Sequence, residues 1–310
     1  MNTIQSPFFL SVLVPVFNWD VRELLQKIHT QAEELQPDYR IEILVMDDGS
    51  VEQDTNRAFA EMLPLVKFTA FPENRGRAVI RNLLLEEAQG EYVLFLDADM
   101  LPDHDTFLQN YVEKAMAGCE IVCGGISYLQ VGDLRKEYSF YYYKSRKTEA
   151  VPVAKRKRQP WRYLFTSNIM LRRSILSVMR FDTRFSGYGF EDIEWAIRLG
   201  KYYTITHLEN SCSHMGLMTK AEAYAKMSQS IENYALLLAL HPEITSQNIG
   251  VKAVAILKAL PHGVLRWLDL FLVKMFFMIS WNPVAFLLFQ CDKMVLLTNM
   301  LKKNTQADLF

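Results

Sequence analysis

Across its first hundred positions the chain alternates short, unbroken apolar runs with segments whose apolar residues recur at helical spacing. Phe8 to Phe17 is one such run and predicts a first strand; Pro15, which has no amide hydrogen, is expected to mark where its pairing ends. Between positions 21 and 35, Leu24, Leu25, Ile28, Ala32 and Leu35 predict a helix, with Pro37 closing it. Ile41 to Met46 predicts a second buried strand that runs into Asp47-Asp48-Gly49-Ser50. A short helix is expected from Arg57 to Leu63 and a strand from Val66 to Phe71. A further helix opens in the arginine-rich stretch 74–82 and runs to Ala88. Tyr92 to Leu96 is an uncharged run of the kind buried on both faces of a sheet, and it ends abruptly in Asp97-Ala98-Asp99. Strands and helices alternating through short loops predict an α/β fold with a doubly wound, mostly parallel central sheet.

Beyond residue 100 the pattern changes. Residues 138–164 hold Tyr141-Tyr142-Tyr143 and then a dense series of lysines and arginines, with Glu149 the one acid between Lys144 and Arg162; they read as a mobile basic insertion. Glu191-Asp192 precedes a helix, 193–199, that Gly200 ends, and Tyr202 to Leu208 predicts another strand. From Ala221 to Leu240 the spacing is helical, and residues 251–301 are strongly apolar but studded with cations. The uncharged run Met275 to Cys291 contains Asn282-Pro283 and is shorter than the ~20 residues a spanning helix needs. It therefore predicts amphipathic helices on a membrane surface, with a helical dimer interface or a core layer as the alternative. The expected division is a first domain over 1–220, in two halves that meet near residue 100, and a helical region over 221–310.

With 310 residues, half of them hydrophobic, the chain can bury one large core or one core with an appendage. Its 34 Lys and Arg balance 35 Asp and Glu, which gives no global charge for nucleic acid. Cys119, Cys123, Cys212 and Cys291 lack zinc-like spacing and read as reduced core residues of a cytosolic protein. The apolar run near the amino end has no preceding positive residue and no small-residue cleavage site, so a strand is expected there rather than a signal peptide.

The chemistry begins with Asp97 and Asp99. At i and i+2 of an extended chain they point the same way, and two adjacent anions are poorly tolerated without a cation between them. Their place at the end of a buried strand is where open α/β sheets hold ligands, which points to a divalent metal carrying a phosphorylated substrate. An aspartate-rich turn is the plainer alternative.

Val-Pro-Val-Phe-Asn at 14–18, Met-Asp-Asp-Gly-Ser at 46–50, Asn-Arg-Gly-Arg-Ala at 74–78 and Asp-Ala-Asp at 97–99, in that order, resemble a family 2 glycosyltransferase of the GT-A fold. Gly187-Tyr188-Gly189-Phe190-Glu191-Asp192 resembles both the Glu-Asp motif of that family and the Gly-Glu-Asp motif of metal-dependent galactosyl- and N-acetylgalactosaminyltransferases. The resemblance covers roughly residues 8–220. It implies metal-dependent, inverting transfer of one hexose or N-acetylhexosamine from a nucleotide-diphosphate sugar, of the UDP series, to a hydroxyl of a glycan or glycolipid.

Carried over by position, the resemblance places Pro15, Phe17 and Asp47 at the nucleotide, with Asp47 on the base and Asp48 left to the turn. Arg75, Arg77 and Arg81, around a helix start with free amides, would meet the diphosphate. Asp99 would bind the metal, and Asp97 the ribose or the metal. His214, in a small-residue loop after a strand, would be a third ligand; all-oxygen ligation fits Mn²⁺ or Mg²⁺, and a nitrogen tilts the choice toward Mn²⁺. Asp192 would be the catalytic base and Glu191 would hold sugar hydroxyls, while Asn168 and Gly189 are candidate acceptor contacts. The expected location is cytoplasmic, peripheral on the inner membrane face. A noncatalytic nucleotide-sugar or membrane-binding module of the same fold is the alternative.

Overall fold

In the computed structural model, which describes residues 8–36, 38–247 and 249–307, the strand β1 (Phe9–Val16) lies third in a seven-stranded sheet. Its partners are β2 (Arg40–Asp47) on one side and β4 (Tyr92–Leu96) on the other, both parallel to it. β3 (Val66–Ala70) extends the sheet beyond β2. Two further short strands, β5 (Met100–Pro102) and β7 (Ile126–Ser127), lie outside this sheet, and β6 (Ile121–Cys123) joins it. The strand β8 (Asn168–Arg172) runs antiparallel between β4 and β6, and β9 (Ile205–His207) closes the edge in the order β3-β2-β1-β4-β8-β6-β9. This is the mostly parallel, doubly wound sheet the alternation predicts.

Burial on both faces follows from the strand sequences. Leu10, Val12, Val14 and Val16 of β1 join Tyr92, Leu94 and Leu96 of β4 in one apolar cluster. Leu13, Val93 and Phe95 point the other way and pack with Leu84, Ile169 and Trp195 in a second cluster. A period-2 backbone whose two faces are both apolar has no surface to give to water, so helices cover it on both sides.

Several boundaries differ from expectation. Pairing of β1 with β4 stops at Leu13, but pairing with β2 carries on through Pro15 and Val16, because only one side of the strand needs the missing amide. The second helix is Asp54–Ala60, three residues earlier than expected, and Pro37 lies outside the described residues. The basic insertion is built into structure rather than mobile. Helices Ser139–Thr148 and Val153–Arg156 and the 3-10 turn Pro160–Tyr163 occupy it. Arg156 is buried and donates to the carbonyls of Cys123, Gly124 and Leu208, satisfying backbone at the end of β6. Cys123 and Cys212 are buried as expected, whereas Cys291 is exposed.

The chain forms two compact units with interleaved boundaries instead of one cut after residue 220. The first comprises the chain up to Gly132, Glu149–Arg184 and Glu191–Gly216; the second comprises Asp133–Thr148, Phe185–Phe190 and the chain from Leu217. Within the second unit, the expected helix over 221–240 is two helices, Lys220–Gln229 and Ile231–Leu240, parted where the Ser230 hydroxyl bonds the Met227 carbonyl. Helices His262–Met278 and Asn282–Ala307 split the uncharged run 275–291 between them. Residues 282–303 are long and apolar enough to span a bilayer, with mean hydropathy 1.4, yet Asp292 and Thr298 within them are fully buried in protein. Asp292 accepts a 2.7 Å hydrogen bond from the Tyr224 hydroxyl, so this helix has a protein-facing side.

Phe95 is fully buried and meets Phe181 and Trp195 edge-on at 5.6 and 6.3 Å. Phe95→Ala is expected to lower unfolding free energy by about 3–5 kcal/mol in denaturant titration, with an unchanged m-value.

Candidate active site

The loops that follow the parallel strands meet at one end of the sheet. After β2, Asp47 is fully buried, and its Oδ1 accepts the Ser50 amide at 2.7 Å. Its Oδ2 is buried with no protein partner among the described residues. Asp47 thus takes the turn role expected of Asp48. Asp48 instead reaches across to the next loop, accepting the amides of Arg75 at 2.7 Å and Gly76 at 3.0 Å. Burial pushes its carboxyl up, and those two amides partly restrain the shift. The loops come this close because residue 49 is glycine: a Cβ there would lie 2.6 Å from the Glu73 carbonyl carbon. Of the amides at this helix start, those of Arg75 and Gly76 are therefore already engaged. Beside this turn, Asn18, Trp19, Val51, Glu52 and Asn56 line a cleft of about 440 Å³. Pro15 is half-buried at the end of β1, and Phe17 is exposed.

The helix Arg77–Glu87 supplies the central cation. Arg81 is buried and donates from Nη2 to Asp97 at 3.0 Å and from Nη1 to Glu191 at 3.1 Å. Burial opposes its charge, but Asp97, Glu191 and Asp192 outweigh it and raise its pKa further. Arg81 is accordingly a brace between two carboxylates, which corrects its expected place on the diphosphate. Arg75 and Arg77 stay exposed, with Arg75 lying 4.1 Å over the Phe71 ring.

A second, three-stranded sheet joins β5 to β10 (Cys212–His214) and β10 to β7. Its register sets Met100 opposite His214, so Asp99, one residue earlier, meets the His214 ring. Asp99 Oδ2 lies 3.1 Å from His214 Nε2, and the Met215 amide donates to the Asp99 carbonyl at 2.8 Å. Burial alone would lower the His214 pKa, but the hydrogen bond and charge of Asp99, with Glu149 and Asp97, raise it. The Tyr128 hydroxyl, 3.4 Å from Nδ1, addresses the other ring nitrogen. Asp103 holds the small sheet by accepting from Ser127, Ser211 and Ser213 and from Gln130.

Among the described residues, no three His, Cys, Asp or Glu side chains converge as a closed metal site. Asp99 and His214 come together as expected, whereas Asp97 turns to Arg81. A Cβ at Gly216 would strike Asp99 Oδ2 at 2.6 Å, so glycine keeps that oxygen's surroundings open. An oxygen of Asp99 and a nitrogen of His214, beside Asp97, are a donor set that would suit a divalent cation.

Glu191 and Asp192 open the helix Glu191–Tyr202. Burial first, and the Glu191 charge second, push Asp192 up to about 7, against the pull of Arg81 and Arg77. Its Oδ1 accepts the Ile193 amide at 2.8 Å. In the second unit, the preceding residues are unusual: Gly187, Gly189 and Phe190 all have positive φ, and for Phe190 (φ 73°) that is strained. Asn233 Nδ2 holds this loop through the carbonyls of Ser186 and Gly189, both at 2.8 Å. Phe190 stacks on Tyr234 at 4.6 Å.

Two expected acceptor contacts change meaning. Asn168 is buried; its Nδ2 donates to the carbonyls of Gly125 and Asn210 and its Oδ1 accepts from Tyr111, so the amide is structural. Gly189 uses its carbonyl on Asn233. Residues that sequence reasoning missed are Asp48, Asp103, Tyr128 and Gly216. The glycine two positions after His214 was the one visible signal.

Residues 11–179 match the family model described as Glycosyl transferase family 2. The chain is 25% identical over 243 residues to the glycosyltransferase YfnE of Bacillus subtilis, covering 61% of this chain and 59% of the relative. It is 26% identical to the glycosyltransferase AglE of Haloferax volcanii over 123 residues, 39% of this chain and 40% of that one. The chain thus spans less than two thirds of the length of these relatives. Among solved structures, it is similar to the mannosyltransferase PcManGT of Pyrobaculum calidifontis, in complex with GDP-Man and Mn²⁺. That match has a TM-score of 0.55 at 20% identity, covering 94% of this chain and 86% of that one. It is also similar to S. aureus TarS in complex with UDP, with a TM-score of 0.52 at 15% identity over 97% and 92% of the two chains. At such identities the likeness speaks for the GT-A fold.

Removing the buried cation leaves Glu191 and Asp97 uncompensated. Arg81→Met is expected to cost about 3–5 kcal/mol in chemical denaturation, and pairing it with Glu191→Gln should recover part of that loss in a double-mutant cycle. Additive costs would show that the brace is energetically idle.

Proposed function

This chain belongs to glycosyl transferase family 2, and from that premise we propose that it moves one sugar from a uridine-diphosphate sugar to a hydroxyl of a glycan or glycolipid, with inversion. The observation that carries the reading is Asp192, a carboxyl pushed up to about 7 beside a Glu191 that Arg81 fixes in place. A base near the working pH is the most effective acceptor of a hydroxyl proton. The acceptor oxygen attacks the anomeric carbon as its proton passes to Asp192. The bond from that carbon to the diphosphate oxygen breaks on the opposite face, and the electron pair leaves with the nucleoside diphosphate.

Binding is assigned to the neighbouring strand ends. Asp47, with its unpartnered Oδ2, takes the base, and the exposed Arg75 and Arg77 face the diphosphate. Glu191, held by Arg81, is set to orient sugar hydroxyls. Asp99 and His214 are the residues that would hold Mn²⁺ or Mg²⁺, which when bound neutralises charge on the departing diphosphate. The nitrogen ligand favours Mn²⁺. Neighbours solved with GDP-Man and Mn²⁺, and with Mn²⁺, UDP-glucose and phosphoglyceric acid, support a donor and metal of these classes.

The direct test measures UDP release from a panel of UDP-sugars with Mn²⁺ or with chelator, adding glycan and membrane-extract acceptors. Metal-dependent release from one donor is expected; Asp99→Ala should abolish the metal dependence, and Asp192→Asn should lower kcat by about 10²–10⁴ while UDP affinity holds. UDP binding without turnover from any donor and acceptor, indifferent to Asp192→Asn, would establish a binding module instead. Because the base must be deprotonated, wild-type kcat should rise with pH through about 7 and level off above it. A flat profile between pH 5.5 and 8.5, roughly the span over which such a group titrates, would remove Asp192 from the role.

A further inference from the structure

The helix His262–Met278 has two apolar sides, and the protein uses one of them. Leu265 and Phe276 are fully buried. Phe276 packs on Phe140 at 5.0 Å, and Lys220 Nζ donates to the carbonyls of Phe276 and Ile279, which ties down the helix end. On the other side Trp267, Leu270, Phe271, Phe277 and Met278 stand in solvent at helical spacing, and exposed Trp281 follows in the link to the next helix. Trp267 and Trp281 are 61% and 68% exposed. Trp267 and Phe271 stack on each other at 5.4 Å without cover. A stripe of this length with two exposed tryptophans is far from the scattered apolar residues normal on a protein surface.

Charge is sorted across the same helix. Arg266 and Lys274 are exposed beside the stripe, as are Lys252 and Lys258 on the segment before it. The one acid from 251 to 281, Asp269, is half-buried, and its charge acts on the half-buried Tyr224 and the buried Asp292. The outward side is therefore apolar and cationic, with its acid turned inward. A second copy seated face to face would bring Arg266 and Lys274 against their own like charges, which selects against self-pairing. The helix, at 17 residues with Arg266 and Lys274 in it, is short for a span.

We propose that this stripe docks the protein on an anionic lipid surface, with the tryptophans and Phe271 entering the headgroup boundary and Arg266, Lys274, Lys252 and Lys258 meeting lipid phosphates. The proposal is independent of the sugar-transfer reading and is tested without donor or turnover.

The experiment is cosedimentation of the full chain with vesicles of phosphatidylcholine alone or with about one third phosphatidylglycerol added, at low and high salt. Wild type is expected to bind the anionic vesicles, to bind neutral ones far less, and to release as salt rises. Trp267→Ser with Trp281→Ser should weaken binding about tenfold or more, and Arg266→Glu with Lys274→Glu should remove the preference for anionic lipid. Unchanged thermal unfolding of both variants confirms that the fold is intact, since all four side chains are exposed. Failure of wild type to bind either vesicle overturns the proposal, as does binding that both double variants retain. Light scattering that shows dimers lost in the tryptophan variant would assign the stripe to a second copy and overturn it equally.

Discussion

The acids at the end of β4 and at the start of the helix Glu191–Tyr202 lean on one buried guanidinium. Arg81 lies on a helix that covers the sheet, and its two Nη groups hold Asp97 at the end of β4 and Glu191 at the start of the helix Glu191–Tyr202. These partners are 16 and 110 residues away in sequence. A buried ion pair contributes little net stability when compared with a well-packed apolar substitute, but breaking one from a single side is costly. The value of Arg81 is geometric: it fixes two carboxylates that would otherwise repel each other and the adjoining Asp192. One guanidinium thus stands against three carboxylates, Asp97, Glu191 and Asp192, and burial with the Glu191 charge still pushes Asp192 up to about 7.

The Asp99–His214 pair has a different cause. It comes from strand register in a three-stranded sheet too small to hold itself by apolar burial. Asp103 compensates, accepting hydrogen bonds from serines on β7, on β10 and just before β10. A one-residue slip of β10 would turn His214 away from Asp99 altogether. Polar cross-links of this kind specify register more sharply than a few apolar contacts could, because each broken one leaves a buried polar group unsatisfied.

Much of this was legible beforehand because it rests on local pattern. The buried strands β1, β2 and β4 and the helix after residue 76 are carried by runs and spacings within a few residues, whereas the strand expected over 202–208 shrinks to β9 because Tyr202 ends the preceding helix. Arg81 was not legible in its role. An arginine at a helix start reads the same whether it faces a phosphate or a carboxylate brought from 110 residues away. Asn168 failed for the same reason: its partners Gly125, Asn210 and Tyr111 come from three other segments. The exchange of roles between Asp47 and Asp48 turned on a side-chain direction at a turn, which sequence spacing does not encode. Arg156 belonged to a conspicuous basic run, yet burial made it a backbone cap.

The strained residue before the acid pair is fixed from within the helical unit. A non-glycine residue at φ 73° costs about 1–3 kcal/mol and persists only where its surroundings over-determine it. Phe190 is so placed: its ring lies parallel to Tyr234, with an interplanar angle of 3°, Lys293 sits over both rings at 4.9 and 4.6 Å, and Asn233 fixes the two carbonyls nearby. The peptide that leads into Glu191 is therefore held by side chains from residues 233, 234 and 293, long after the family-matching segment has ended at 179. Fixing Phe190 is a part these helices play that is separate from any surface they dock on.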